Sequence, residues 1–507
     1  MRLLEFAAVS DSHQVPAAPL PPATANPRPA VIQGGMGVSI SDWHLARQVS
    51  LAGQLGFVSG TAINVVLARR LQEGDPDGSC RRALAAFPIP GVADRIIDRY
   101  FVEGGIPEGK PYKAVPAFSI APRRPLLELT VAANFVEIFL AKEGHSGPVG
   151  VNYLHKVKMP HPPSLYGAVL AGVDYVAMGA GIPRDIPGML DTLVAHDTVV
   201  MPIEVDNAER GKHAVTFDPA ELWDGATPPE LHRPKFLAII ASTTLANALA
   251  REPATRPDGF VIEGPIAGGH NAPPRGKTQL DELGQPVYGA RDVVDLDAVA
   301  GYGIPFWLAG GFGRPGGVSE AQELGAEGVQ IGTAFAMSRD SGMTDDMRAK
   351  MLAAADAGQD IIRTDAIASP TGFPFKVAQL DGTLADDDTY ETRGRICDLG
   401  FLVTPFEKED GRVAYRCPSE PVEDYVKKGG DIRETEGRQC LCNGLMATTG
   451  LGQRRAGDVE EPPIVTSGDS LAFVADLARA GGGTYGALDV LEAVLPSHAA
   501  VKTTQAP

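Results

Sequence analysis

The chain has 507 residues, 44% hydrophobic and 21% charged, a composition that fits a globular protein built as one large barrel with appendages or as two to three domains. A formal net charge of −18 with no long Lys/Arg run argues against duplex nucleic acid and anionic membranes as partners. Apolar runs fall short of the ~20 residues that cross a bilayer, and the first 29 residues lack the apolar core of a secretory signal, so the chain reads as cytoplasmic.

Residues 1–29, rich in Pro and Ala from position 15, read as an extended N-terminal arm. Residues 30–33 form a short strand ending at Gly34-Gly35-Met36-Gly37, and Ser41 or Asp42 caps a helix running to about Gln54. A strand at 56–59 and a helix at 63–72 follow. Residues 74–146 break this rhythm with a helix at 92–100, a proline-broken stretch and an apolar helix at 126–142, and read as an insertion at a barrel rim. Apolar, β-rich runs then occur at 149–153, 175–178, 199–205, 236–241, 258–263, 305–309 and 328–331. With the first two strands this makes one candidate more than a barrel needs. The run at 199–205 is assigned to an excursion that pairs with 213–217, and 236–241 to the barrel, although the pattern supports the opposite assignment almost as well; a second insertion falls at about 206–233.

Helices at 245–251 and 319–324 fall between strands, so β and α units alternate. The expected fold is α/β: a TIM-type (β/α)8 barrel over residues 30–375 with rim insertions, followed by an extra C-terminal region over 376–507. That region is charged and loop-rich from 385 to 457 and helical at 470–480 and 485–494, with the tail from 497 read as disordered. It holds four of the five cysteines, Cys397, Cys417, Cys440 and Cys442. Four thiolates would suit zinc or an iron–sulfur cluster, but the spacing contains no CxxC pair, and packing as small reduced side chains is the stronger reading.

The densest chemical signal is Trp307-Leu308-Ala309-Gly310-Gly311-Phe312-Gly313 followed by Gly328-Val329-Gln330-Ile331-Gly332-Thr333. It reads as two successive parallel strands, each ending in a glycine turn. In a (β/α)8 barrel the loops after the last two strands are the usual phosphate site, and glycine lets the main chain approach an anion. Thr333 adds a hydroxyl beside the amide of Gly332, or caps a helix. Gln330 faces a ring system or fills the barrel. A second signal runs from Glu263 to His270, where a carboxylate closes an apolar strand and Gly268 and Gly269 present a histidine on a loop. Glu263 could meet the polar edge of a heterocycle or form a salt bridge. His270 suits proton exchange near neutral pH. Asn152, after Gly150-Val151, is costly to bury without partners, and reads as a turn cap or, slightly favoured, a ligand contact from the barrel mouth. Of His145, His155 and His161, one is expected near the substrate entrance.

Taken together, Ile32-Gln33-Gly34-Gly35-Met36, Gly150-Val151-Asn152, Glu263 to His270, Ala309-Gly310-Gly311 and Gln330 to Thr333 resemble the nitronate monooxygenase family (formerly 2-nitropropane dioxygenases), which includes FMN-dependent enoyl-acyl-carrier-protein reductases. The resemblance spans roughly residues 30–375. It implies FMN across the barrel top, with Gly35, Met36, Asn152, Glu263 and Gly268 near the isoalloxazine. Gly310, Gly311, Gln330, Ile331, Gly332 and Thr333 would surround the ring and phosphate tail, with His270 as the catalytic histidine and no metal. The implied activity is oxidation of alkyl nitronates with O2. The alternatives are an NAD(P)H-dependent enoyl-thioester reductase and a non-catalytic flavin-binding subunit. The partner in either reaction is a small molecule.

Overall fold

The computed structural model describes residues 28–455 and 459–495. The expected N-terminal arm (up to residue 27) and C-terminal tail (from 496) lie outside the described residues.

Eight parallel strands close into a barrel: β1 (Val31–Gln33), β2 (Leu55–Ser59), β3 (Val149–Leu154), β4 (Tyr175–Gly179), β5 (Lys235–Ile240), β6 (Gly259–Glu263), β7 (Phe306–Ala309) and β8 (Gly328–Ile331). Each strand pairs with its neighbours in sequence, and β8 closes on β1 through Ile32 opposite Gln330. The run at 199–205 is indeed outside the barrel. Val199–Ile203 pairs antiparallel with His213–Phe217 as a separate hairpin, while Lys235–Ile240 sits between β4 and β6.

Side chains alternate across the barrel wall with the two-residue period of a strand. Ile32, Leu55, Phe57, Tyr175, Ala177, Leu237, Ile239, Val261, Trp307 and Ala309 form a closed interior cluster. Their sequence neighbours, among them Val31, Val58, Val176, Phe236, Phe260 and Leu308, face the surrounding helices in a second, larger core. Gly150 on β3 makes room for the interior Phe57, whose ring would lie 2.4 Å from a Cβ at that position. The indole of Trp307 donates to the carbonyl of Pro29 at 2.8 Å and ties the chain entering β1 to the strand floor.

The segment expected as a rim insertion contributes to the ring of helices. The 19-residue helix Arg124–Lys142 is buried along most of its length and packs against Trp43–Leu51, Ile63–Gln72 and His161–Leu170. Only residues between Gln72 and Arg124 form an excursion. Asp42 caps Trp43–Leu51 by accepting from the amides of His44 and Leu45. That helix ends earlier than expected because Gly53 takes a left-handed φ of 75°.

The C-terminal region packs onto the barrel. Ala472–Ala480 and Ala487–Val494 lie against the helices Asp345–Asp356, Thr333–Ala336 and Trp43–Leu51. The stretch 463–470 runs beside Phe375–Ala378, whose Ala378 amide donates to the carbonyl of Val465 at 2.9 Å. No helix among the described residues is long and apolar enough to cross a membrane.

Candidate active site

A cavity opens at the carboxyl ends of the barrel strands, lined by the strand ends and the loops that follow them. Strand parity explains its floor. Asn152, Glu263 and Gln330 lie on the inward-facing phase of β3, β6 and β8, one step beyond the apolar interior. The same alternation that buries Val261 therefore aims Glu263 into the mouth.

The Asn152 amide donates from Nδ2 to the carbonyl of Gly35 at 3.1 Å, which sets its orientation and leaves Oδ1 buried without a hydrogen-bond partner. A buried acceptor left open beside a cavity is a place for a ligand donor. The close approach explains Gly35, since a Cβ there would sit 2.4 Å from that of Asn152. Met36 lines the cavity beside Gly35 and packs near Gly332, where a Cβ would meet its sulfur at 3.5 Å.

Glu263 forms no ion pair among the described residues, so the salt-bridge alternative has no partner. Burial pushes its carboxyl up to about 7. The sign of the consequence is fixed. Between about 4.5 and 7 the unfolded chain gives up this proton while the folded chain keeps it, so the group's contribution to stability falls as pH rises and levels off above about 7. Glu263→Gln in cofactor-free protein is therefore expected to melt higher than wild type at pH 8, by about 1–3 kcal/mol, and much closer to it at pH 5. A difference that does not change between the two pH values would remove the assignment.

Gly310 and Gly311 take successive left-handed φ angles of 84° and 85°, which strain any residue with a side chain. A Cβ on Gly311 would come within 2.7 Å of Ile266 Cδ1. Gln330, Ile331, Gly332 and Thr333 continue the lining on the β8 side, Ile331 turning its side chain outward beneath Gly313. Bare backbone on two adjacent loops and an unpartnered amide oxygen on the floor fit a planar group with an anionic tail.

His270 lines the cavity from the loop after β6. Its ring lies 4.8 Å from that of Phe375, and its backbone bridges to Phe375. Desolvation, then the nearby Lys156 ammonium, hold its pKa well below the ordinary histidine value, so the ring is neutral. Nε2 is engaged with Ser369 Oγ at 2.8 Å.

Sequence reasoning missed the roof. Phe401, Leu402, Leu441, Cys442, Leu445 and Ile464 line the cavity from the C-terminal region, and 466–468 clamp its glycine loops. Thr466 Oγ1 accepts from the amide of Gly269 at 2.9 Å, and the amide of Gly468 donates to Thr333 Oγ1 at 3.0 Å. Thr333 thus anchors this strap and still has its hydroxyl proton to donate. Gly268, read as leaving space for a flat ligand, also leaves space for the strap: a Cβ there would lie 2.8 Å from the Gly468 nitrogen. The Ser467-Gly468 pair is a turn signal, but nothing local says which loop it touches.

Several expectations change. None of His145, His155 and His161 lines the main cavity. His161 borders a small adjoining chamber, and His145 is occupied by the carbonyl of Ala141. The C-terminal thiols lie near one another, Cys397 beside Cys417 and within electrostatic reach of Cys440 and Cys442. Among the described residues no three His, Cys, Asp or Glu side chains are grouped to hold a metal ion, and burial pushes the Cys440 thiol up to about 11, keeping it protonated.

The family model for nitronate monooxygenase matches residues 138–366, the part of the chain that carries β3 to β8. Over 144 residues the chain is 33% identical to a (3aS,4S,5R,7aS)-5-hydroxy-7a-methyl-1-oxo-octahydro-1H-indene-4-carboxyl-CoA dehydrogenase of Mycobacterium tuberculosis, covering 28% of this chain and 36% of that protein. Over 156 residues it is 31% identical to a probable nitronate monooxygenase of Staphylococcus aureus, covering 29% of this chain and 41% of that one. The matches thus span well under half the length of either relative. Among solved structures, FabK from Thermotoga maritima aligns with a TM-score of 0.44 at 16% identity, over 92% of this chain and 91% of that one.

Proposed function

We propose that this chain is an FMN-dependent oxidoreductase of the nitronate monooxygenase type that oxidises alkyl nitronates with O2, a reading supported by the family-model match over residues 138–366. The observation that carries this reading is the convergence of Asn152, Glu263, His270 and the Gly310–Gly311 turn on one cavity at the strand ends, with Asn152 Oδ1 unpartnered. The backbone at Gly310, Gly311 and Gly332, with the Thr333 hydroxyl, would hold the phosphate tail. Gly35, Met36, Asn152, Glu263 and Gly268 would border the ring, with Gln330 and Ile331 beside it. Bound FMN supplies the electron transfer of this chemistry. The chain supplies position and protons: Asn152 offers an acceptor, neutral His270 exchanges a proton or hydrogen-bonds an anionic oxygen, and the C-terminal strap excludes water.

The test is an absorption spectrum of the untreated protein, followed by oxygen uptake with propyl nitronate. Flavin bands and uptake above an FMN-only control are expected. A colourless protein that cannot be reconstituted, or uptake no higher than the control, would remove the assignment.

A specific observation favours a second reading. The roof is apolar, contributed by Phe401, Leu402, Leu441, Leu445 and Ile464, and suits an acyl chain. On that reading the enzyme reduces an enoyl thioester with NAD(P)H, and its resemblance to a relative named for an acyl-CoA substrate gains weight. Anaerobic bleaching of the flavin by NADPH, reversed by crotonyl thioester, distinguishes the two.

A further inference from the structure

His270 is wired to a lysine that the site described above does not use. His270 Nε2 lies 2.8 Å from Ser369 Oγ, and Ser369 Oγ lies 2.8 Å from Thr371 Oγ1. Lys156 Nζ, on the loop after β3, donates to Thr371 Oγ1 at 3.2 Å and sits 3.8 Å from the ring centre of Phe373.

The proton direction along this chain follows from what each group can do. An ammonium only donates. Thr371 Oγ1 accepts from it, so the Thr371 proton is free for Ser369 Oγ. The backbone amide of Thr371 also donates to Ser369 Oγ, at 3.3 Å. Both Ser369 lone pairs are then engaged, and its single proton is left for His270 Nε2. While Lys156 is protonated, the reverse direction would strand the Thr371 hydroxyl proton without an acceptor among the described residues. Nε2 of the neutral ring is therefore an acceptor. The ring proton sits on Nδ1, for which the described residues provide no hydrogen-bond partner.

We propose that Lys156 is a positioning residue which, acting through Thr371 and Ser369, fixes His270 as the Nδ1–H tautomer and makes it a proton donor toward a ligand in the cavity. The transfer balances. As the ring gives its Nδ1 proton to the ligand, Nε2 takes the Ser369 proton, Ser369 takes that of Thr371, and Thr371 takes one from the ammonium. Lys156 ends as a neutral amine and the ligand has gained one proton. Burial pushes Lys156 down to about 7, so that release is accessible near neutrality. The donor role rests on the proposed function of the cavity, whereas the tautomer does not.

The experiment is a long-range 1H–15N correlation spectrum of full-length protein carrying 15N-labelled histidine rings, with the His270 signal assigned by its loss in His270→Gln. The wild type is expected to show the Nδ1–H pattern. Thr371→Ser should retain it, and Thr371→Val and Lys156→Met should lose it. The remaining histidine signals report whether each variant is folded. An Nε2–H pattern in the wild type overturns the proposal even if no variant folds, and so does an unchanged Nδ1–H pattern in folded Lys156→Met. The spectrum reads the tautomer whether or not a nitronate or thioester turns over, so failure of the assigned activity and failure of the relay are seen separately.

Discussion

His270→Gln is expected to lower turnover by about 10²–10⁴-fold, the usual contribution of a positioned acid–base group, while the protein keeps its flavin absorption. Glutamine retains a polar side chain of comparable reach toward Ser369 but cannot exchange a proton near neutral pH. The ring lies against Phe375 and makes a single side-chain hydrogen bond, to Ser369. The substitution therefore removes proton chemistry with limited loss of packing. Steady-state rates with the turned-over substrate, set beside the visible spectrum of the same preparation, check this. Equal turnover in a fully pigmented variant would sink the role given to His270. Loss of pigment together with activity would instead make the residue part of the cofactor seat.

Gly268→Ala is expected to lower cofactor affinity at least ~10-fold and to destabilise the protein by about 1–3 kcal/mol, the range for overpacking a filled site. The added methyl would meet backbone, not a flexible side chain: the Gly468 nitrogen and the Ser467 carbonyl carbon both lie 2.8 Å from it. Relief requires the strap to move, and with it the hydrogen bonds from Gly269 to Thr466 and from Gly468 to Thr333. Thr333 sits at the proposed phosphate end, so an adjustment near the ring is transmitted to the tail. Gly264→Ala is the matched control. A Cβ there would find only the Ala309 carbonyl oxygen at 3.8 Å, an ordinary contact. Flavin titration and thermal melting of the pair give the measurement. If the two variants behave alike, the strap does not shape the site.

Much of the fold could be read from local pattern. β-Rich apolar runs located the barrel strands, but the choice of Lys235–Ile240 over Val199–Ile203, nearly even in the sequence, was decided by the strand pairing. The residues singled out, from Gly35 to Thr333, lie together around one cavity because strand ends and the loops after them all face the same end of a barrel. Parity along β3, β6 and β8 would also have aimed Asn152, Glu263 and Gln330 inward, since a strand's side-chain direction is a local property.

What the tertiary structure decided are contacts between segments far apart in the chain. Residues 401–470 roof the mouth, Gly268 makes room for a strap roughly two hundred positions away, and Lys156 reaches Thr371 across 215 positions. The cysteines sit close in sequence, yet no metal-binding group forms among the described residues. Periodicity and turn chemistry report a residue's own backbone and the face it presents. They carry no record of which remote loop arrives there, because that depends on how every intervening element packs.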